Sequence, residues 1–172
     1  GLPPHVWKTG ASALLFSVTI EESLEGVTRL FLDSAPVIYF VEQHPQYFPS
    51  VRVVFKRIQS SLIFGVTSPV TLAECLVRPY RLGQTQLQQN FINLMLGSNN
   101  MIFQPITNSS LALEAAQIRA RYNLQLPDSF QIAVALAAGC EAFLTNDVTF
   151  RRVTELRILV LDELKVVQKV AQ

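Results

Sequence analysis

The strongest constraint on what this chain can fold into is a series of short apolar runs without polar alternation: residues 28–32 (TRLFL), 63–66 (IFGV), 101–106, 142–144 and 158–161 (ILVL). Helix-like stretches separate them. Val51, Val54, Phe55, Ile58 and Leu62 interleave with Arg52, Lys56, Arg57 and Gln59, and Leu87, Phe91, Ile92 and Met95 repeat the period. Strands that do not alternate and are separated by helices predict a parallel sheet covered on both faces, hence the α/β class. The punctuation agrees. Ser34 as cap with Pro36 in the first turn, Ser68-Pro69, Asn108 or Ser109, and Pro127 open helices, while Gly83, Gly97 and Gly139 close them.

At 172 residues and 49% hydrophobic, the chain predicts one domain and excludes disorder. Only 16% of residues are charged, below the roughly 25% of an average soluble domain, so part of the surface is expected to be covered, by an oligomer or a protein partner. A net charge of +1 gives no global pull on nucleic acid, and any such binding must come from local patches. Two cysteines, Cys75 and Cys140, form no disulfide framework and read as small buried core residues. With only His5 and His44, a zinc site and a Ser-His-Asp triad are excluded as readings.

Residues 11–20 (ASALLFSVTI), with Lys8 upstream, faintly resemble a signal segment. The run is too short to span a bilayer and meets Glu21-Glu22 without a small-residue cleavage site, so secretion and membrane insertion are rejected and a cytoplasmic location is expected. The regular pattern starts after Gly26. Residues 1–26 are read as an N-terminal extension of uncertain origin and residues 27–172 as the domain.

Ligands of open parallel sheets bind outside the carboxyl ends of the strands, so the polar residues predicted there matter most. Asp33 follows the first strand directly, and Asp147 follows the fourth after Thr145 and Asn146. Glu74 lies within the helix after the second strand, and Asp128 in the first turn of the apolar helix. Converging carboxylates repel unless a cation compensates, and a hard divalent ion, Mg2+ or Mn2+, suits oxygen ligands. Such an ion equips a site for phosphodiester hydrolysis. Each acid also has an ordinary explanation: Asp33 and Asp147 as turn or cap residues, Asp128 as a partner of the helix dipole. Glu74 resists one. Residues 71–74 match a capping box, but with Pro69 as first helical residue Glu74 falls in the second turn.

Leu32-Asp33-Ser34 with Val37-Ile38-Tyr39, then Ser68-Pro69-Val70-Thr71-Leu72-Ala73-Glu74, then Leu126-Pro127-Asp128-Ser129-Phe130-Gln131-Ile132-Ala133, then Leu144-Thr145-Asn146-Asp147 with Phe150, together resemble a PIN domain over about residues 27–162. The resemblance implies a three-layer α/β/α sandwich and a metal-dependent endoribonuclease like the VapC toxins of toxin–antitoxin pairs. It makes Asp33, Glu74, Asp128 and Asp147 the acidic quartet around Mg2+ or Mn2+, with Ser34, Thr145 and Asn146 in support. It also implies RNA as substrate, with 3′-hydroxyl and 5′-phosphate product ends. The expected partners are a second copy, giving a homodimer, and an antitoxin protein. Arg78, Arg81 and Arg151 are the candidate RNA-binding residues, with Tyr80 as a possible stacking surface.

The chain departs from many members in having Ala35 followed by Pro36 where Asn or Ser often stands. This leaves an alternative, a weak or inactive PIN-like module that binds RNA or protein. A phosphate-accepting acidic-pocket domain is a third reading, which labelling by small phosphodonors would reveal. Ala35 rules out an Asp-x-Asp phosphatase, and neither a P-loop nor a Gly-rich dinucleotide turn is present.

Overall fold

The computed structural model describes residues 18–167. Five strands, β1 (Arg29–Leu32), β2 (Phe64–Thr67), β3 (Met101–Phe103), β4 (Ala142–Thr145) and β5 (Arg157–Val160), form one sheet. Its order is β3-β2-β1-β4-β5, and all neighbours are parallel. The helices are α1 (Ile20–Ser23), α2 (Ser34–Val41), α3 (Phe48–Gln59), α4 (Pro69–Arg81), α5 (Thr85–Gly97), α6 (Ser109–Tyr122) and α7 (Leu126–Ala137), with a 3-10 turn over Val148–Arg152. The third strand is shorter than its apolar run, because Pro105 has no N–H to continue the ladder beyond the bond from Gln104 N to Thr67 O (2.8 Å).

Side-chain alternation within the strands builds two cores. Leu30 and Leu32 of β1 and Ala142 and Leu144 of β4 face the cluster made with α1 to α5. Phe31 and Phe143, stacked at 5.0 Å, face the cluster made with α6, α7 and Phe150 of the 3-10 turn. Both faces of the sheet are therefore buried, which is why the strand sequences carry no polar alternation. The three-layer α/β/α arrangement follows from the same packing. Cys75 and Cys140 are free and buried.

Two caps differ in detail from expectation. Asp33, not Ser34, caps α2, its Oδ1 accepting from Ser34 N (2.9 Å). On α4, Ser68 and Thr71 form the capping box, and Pro69 is the first helical residue, so Glu74 is left outside any cap.

Within the stretch 1–26 read as an extension, residues 18–26 pack on the domain. Ile20 (0% exposed), Leu24 and neighbouring Val27 join the core beside Val51, Val54 and Phe55. Burying Ile20 and Leu24 contributes about 2 kcal/mol each before entropy is counted. Ile20 N donates to Lys165 O (2.8 Å), and Arg157 Nη1 donates to Ser23 O (2.9 Å) and Glu25 O (3.1 Å). Residues 1–17, including His5, Lys8 and most of the signal-like run, lie outside the described residues. No helix among the described residues is long and apolar enough to cross a membrane.

Candidate active site

The sheet order reverses at β1, whose chain leads to β2 on one side while β4 lies on the other. Such a switch point opens a crevice at the carboxyl ends of the two strands. Asp33 and Asp147 stand at those ends, and Asp33 N donates to Leu144 O (3.0 Å), which ties the two exits together.

Asp33 is 7% exposed. Its Oδ1 takes the Ser34 amide and its Oδ2 the Thr145 hydroxyl (2.7 Å), and Thr145 Oγ1 in turn accepts from Asp147 N (3.0 Å). Thr145, wholly buried at the end of β4, thus links one acid to the backbone of another. Asp147 is exposed, and its Oδ1 accepts from Thr149 N (2.9 Å) and Thr149 Oγ1 (2.8 Å). Both aspartates do serve as caps, as their bland explanation has it, yet the same caps aim them at one crevice. Ser34, freed from capping, donates its hydroxyl to Glu74 Oε2 (3.3 Å) and so joins α2 to α4. Asp128 sits half-buried in the first turn of α7.

Three of the four acids are pushed up by burial and by the charge of others in the group. Burial pushes the Asp33 carboxyl up against the lowering effect of Thr145 and Ser34, with Asp147 adding to the rise. Burial, then Asp33 and Asp128, raise Glu74. Burial, then Asp33 and Asp147, raise Asp128 to about 6. Among the described residues no lysine or arginine bridges any of the four.

As they stand, no three of these side chains, nor any other His, Cys, Asp or Glu among the described residues, form a ready-made coordination cage. Repulsion among uncompensated carboxylates favours that separation, and neighbouring hydroxyls and amides occupy oxygens of Asp33, Asp147 and Glu74. The donor set is nevertheless all oxygen, which fits a hard divalent ion.

A buried polar network holds α4 and α7 at these positions. Ser68 Oγ donates to Gln131 Oε1, Gln131 Nε2 to Thr71 Oγ1 (2.8 Å), and Thr71 Oγ1 to Leu32 O (3.4 Å). Gln131 follows Asp128 by three residues on the same helix face, and Thr71 precedes Glu74 by three, so the network fixes both acids through their own helices. Sequence reasoning missed its role, although the i, i+3 spacing from each acid was there to be read. Asn146 is held at both ends of its amide, donating to Tyr39 Oη (3.2 Å) and accepting from Asp162 N (3.0 Å).

The arginines divide. Arg78 and Arg81 are exposed on the later turns of α4, with no carboxylate partner among the described residues, and Tyr80 between them is 58% exposed. Arg151 pairs with Glu163 and lines a different hollow beside Glu22, Glu25 and Arg157. Its neighbour Arg152 shares a hollow of about 340 Å3 with Asp128 and Asp147.

Comparison with known proteins bears on the fold. The chain shares its fold with the VapBC complex of Rickettsia felis bound to a promoter DNA fragment (TM-score 0.59, 14% identity, 77% of this chain and 98% of that one). A VapBC structure from nontypeable Haemophilus influenzae scores 0.58 at 18% identity, covering 78% and 99%. A sarcin-ricin loop cleaving VapC toxin of Mycobacterium tuberculosis scores 0.56 at 17% identity, covering 74% and 98%. No curated protein matches the sequence closely enough to count as a relative. The model of the PIN domain family matches residues 30–156, which include all four acids, and the chain therefore belongs to that family.

Proposed function

We propose that the protein is a metal-dependent endoribonuclease and the toxin of a toxin–antitoxin pair. What supports this is that Asp33 and Asp147 stand at the carboxyl ends of β1 and β4, that the charge of Asp33 bears on both Glu74 and Asp128, and that none of the four has a basic partner among the described residues. In this reading Asp33, Asp128 and Asp147 hold Mg2+ or Mn2+. Bound there, the ion would acidify water and offset charge on the phosphoryl oxygens. Glu74, raised by burial and by its acidic neighbours, accepts the proton of the water that attacks phosphorus in line. The 3′-oxygen leaves, giving a 3′-hydroxyl and a 5′-phosphate. Ser34 orients Glu74, Thr145 keeps Asp33 and the Asp147 backbone in register, and Asn146 fixes the turn between them.

RNA must approach an acidic crevice, so cations at its rim have to draw it in; Arg78 and Arg81 stand free for this on the helix that carries Glu74. The apolar surface expected from composition lies on the same side: two hollows of about 420 and 460 Å3 flank Pro69 and Ala73, lined by Leu72, Val77, Tyr80, Leu126 and Phe130 among others. A homodimer partner or an antitoxin would cover it, in a cytoplasmic setting where RNA is at hand.

The test is cleavage of structured and single-stranded RNA with Mg2+, Mn2+ or EDTA, run beside Asp128→Asn. Cleavage that needs the metal and disappears in the variant is the expected result. Cleavage undiminished by EDTA defeats the metal reading, and RNA binding without cleavage under any metal favours the inactive module.

A further inference from the structure

The 3-10 turn after Asp147 sends two adjacent arginines to different places. With three residues per turn, Thr149 and Arg152 fall on one face and Val148 and Arg151 on another. Thr149 bonds Asp147, so its face is the one that looks on the acids. The hollow of about 340 Å3 is accordingly lined by Asp128, Asp147, Thr149 and Arg152, and closed by the 123–125 loop between α6 and α7. Arg151, turned away, is neutralised by Glu163.

Arg152 is anchored without being neutralised. Its Nη1 donates to Tyr122 O (3.3 Å) and Asn123 O (3.2 Å), the free carbonyls at the end of α6, where Asn123 takes a left-handed conformation (φ 53°). Among the described residues Arg152 has no carboxylate partner, and its Nε and Nη2 have no hydrogen-bond acceptor. A guanidinium fixed by one nitrogen, with its other nitrogens unpaired among the described residues and its side chain lining a hollow shared with two acids, suits a phosphate.

We propose that Arg152 binds the RNA phosphate adjoining the one that is cleaved, which makes it the positioning residue that registers the strand over Asp128 and Asp147. The inference rests on the ribonuclease reading. It assigns the contact to Arg152 in place of Arg151.

The test is steady-state cleavage of a short single-stranded RNA of mixed sequence by the full chain with Mn2+, comparing wild type, Arg152→Gln, Arg152→Lys and Arg151→Gln. Arg152→Gln is expected to raise KM roughly five- to ten-fold, the scale of one charge-assisted contact, with kcat within about two-fold. The salt dependence of RNA affinity should lose about 0.7 of a unit in log-log slope, one phosphate's worth on a single strand. Arg152→Lys, which keeps the charge without the fork, should fall between, and Arg151→Gln should match wild type. If Arg152→Gln does not fold, the lysine variant decides by the same KM comparison. Cleavage by the wild type with KM and salt slope unchanged in the Arg152 variants, or an equal loss in Arg151→Gln, overturns the subsite alone. No cleavage by the wild type overturns the ribonuclease reading and this inference with it.

Discussion

At the amino ends of β1 and β4 the carboxylate of Glu141 accepts from Thr28 N (2.8 Å), Thr28 Oγ1 (2.7 Å) and Arg29 N (2.8 Å). At the carboxyl ends of the same two strands Asp33 and Asp147 face Glu74 and Asp128. Burial works against the Glu141 charge but is outweighed by the Thr28 hydroxyl and the two amides, so its carboxyl falls below the ordinary value. At the other end burial and like charge win, and Asp33, Glu74 and Asp128 all rise. One pair of strands thus carries at one end a carboxylate whose hydrogen bonds outweigh its burial, and at the other a group of acids in which burial and like charge outweigh the hydrogen bonds. The first arrangement stabilises the native state; the second costs stability.

The largest test of this contrast is Asp128→Asn. Asparagine keeps the shape and removes the charge, so turnover on RNA should fall by roughly two orders of magnitude or more, while the melting temperature in EDTA stays level or rises. A variant that unfolds as it loses activity would show that the acid end is structural after all. Next comes the amino end. Ile20→Ala should cost about 2–4 kcal/mol by leaving a cavity among Leu24, Val51 and Val54, read as a lower denaturant midpoint, with cleavage per folded molecule unchanged. Removing residues 1–26 outright should be worse, since it also deletes the acceptors of Arg157. If a chain starting at residue 27 is as stable as the whole, the packing of α1 is dispensable and residues 18–26 are an appendage.

Much of this contrast was legible in the sequence, and the limits have physical causes. The sheet could be read because strands buried on both faces leave uninterrupted apolar runs, and helix starts because Pro36, Pro69 and Pro127 mark first turns. The positions of Asp33, Asp128 and Asp147 could be read because strand ends and first turns are places that a pattern fixes, whereas Glu74, in the second turn of α4, stood out only because no cap accounts for it. The packing of Ile20 and Leu24 was hidden, because a four-residue helix is too short to show a period and its partners lie in distant elements. The anchoring of Glu141 was hidden too, since backbone amides as donors leave no trace in side-chain identity. Arg151 and Arg152 could not be told apart until the 3-10 geometry gave each a face.

A moderate effect is expected from Glu141→Gln. It leaves one accepting oxygen where there were two, so either the Arg29 amide or the Thr28 donors lose their acceptor, and about 1–2 kcal/mol of stability should go at neutral pH with KM and kcat unchanged. That sign is opposite to Asp128→Asn in EDTA, and measuring both by the same denaturant titration sharpens the comparison. Equal signs would mean that burial, and not bonding, governs both ends.

The smallest effect expected is in the pH dependence of stability without divalent ions, where the two ends should titrate in opposite senses. Asp128 has its folded pKa raised to about 6 from an unfolded 3.8, so between those values the native state holds a proton that the unfolded chain does not. Its stabilising contribution is full below the unfolded value and lost as pH rises through the folded one, which means stability climbs as pH falls from 7 towards 5. Asp33 and Glu74 act in the same direction. Glu141, lowered from 4.5, stabilises above that value and loses its contribution as pH drops further. The melting temperature in EDTA should therefore peak between about pH 4.5 and 6. Asp128→Asn should flatten the climb and leave the acid-side fall intact, and Glu141→Gln should do the reverse. A wild-type curve that only declines from pH 7 to 5, with the same slope in Asp128→Asn, would mean that neither burial nor the neighbouring acids raise the carboxyls at the switch point.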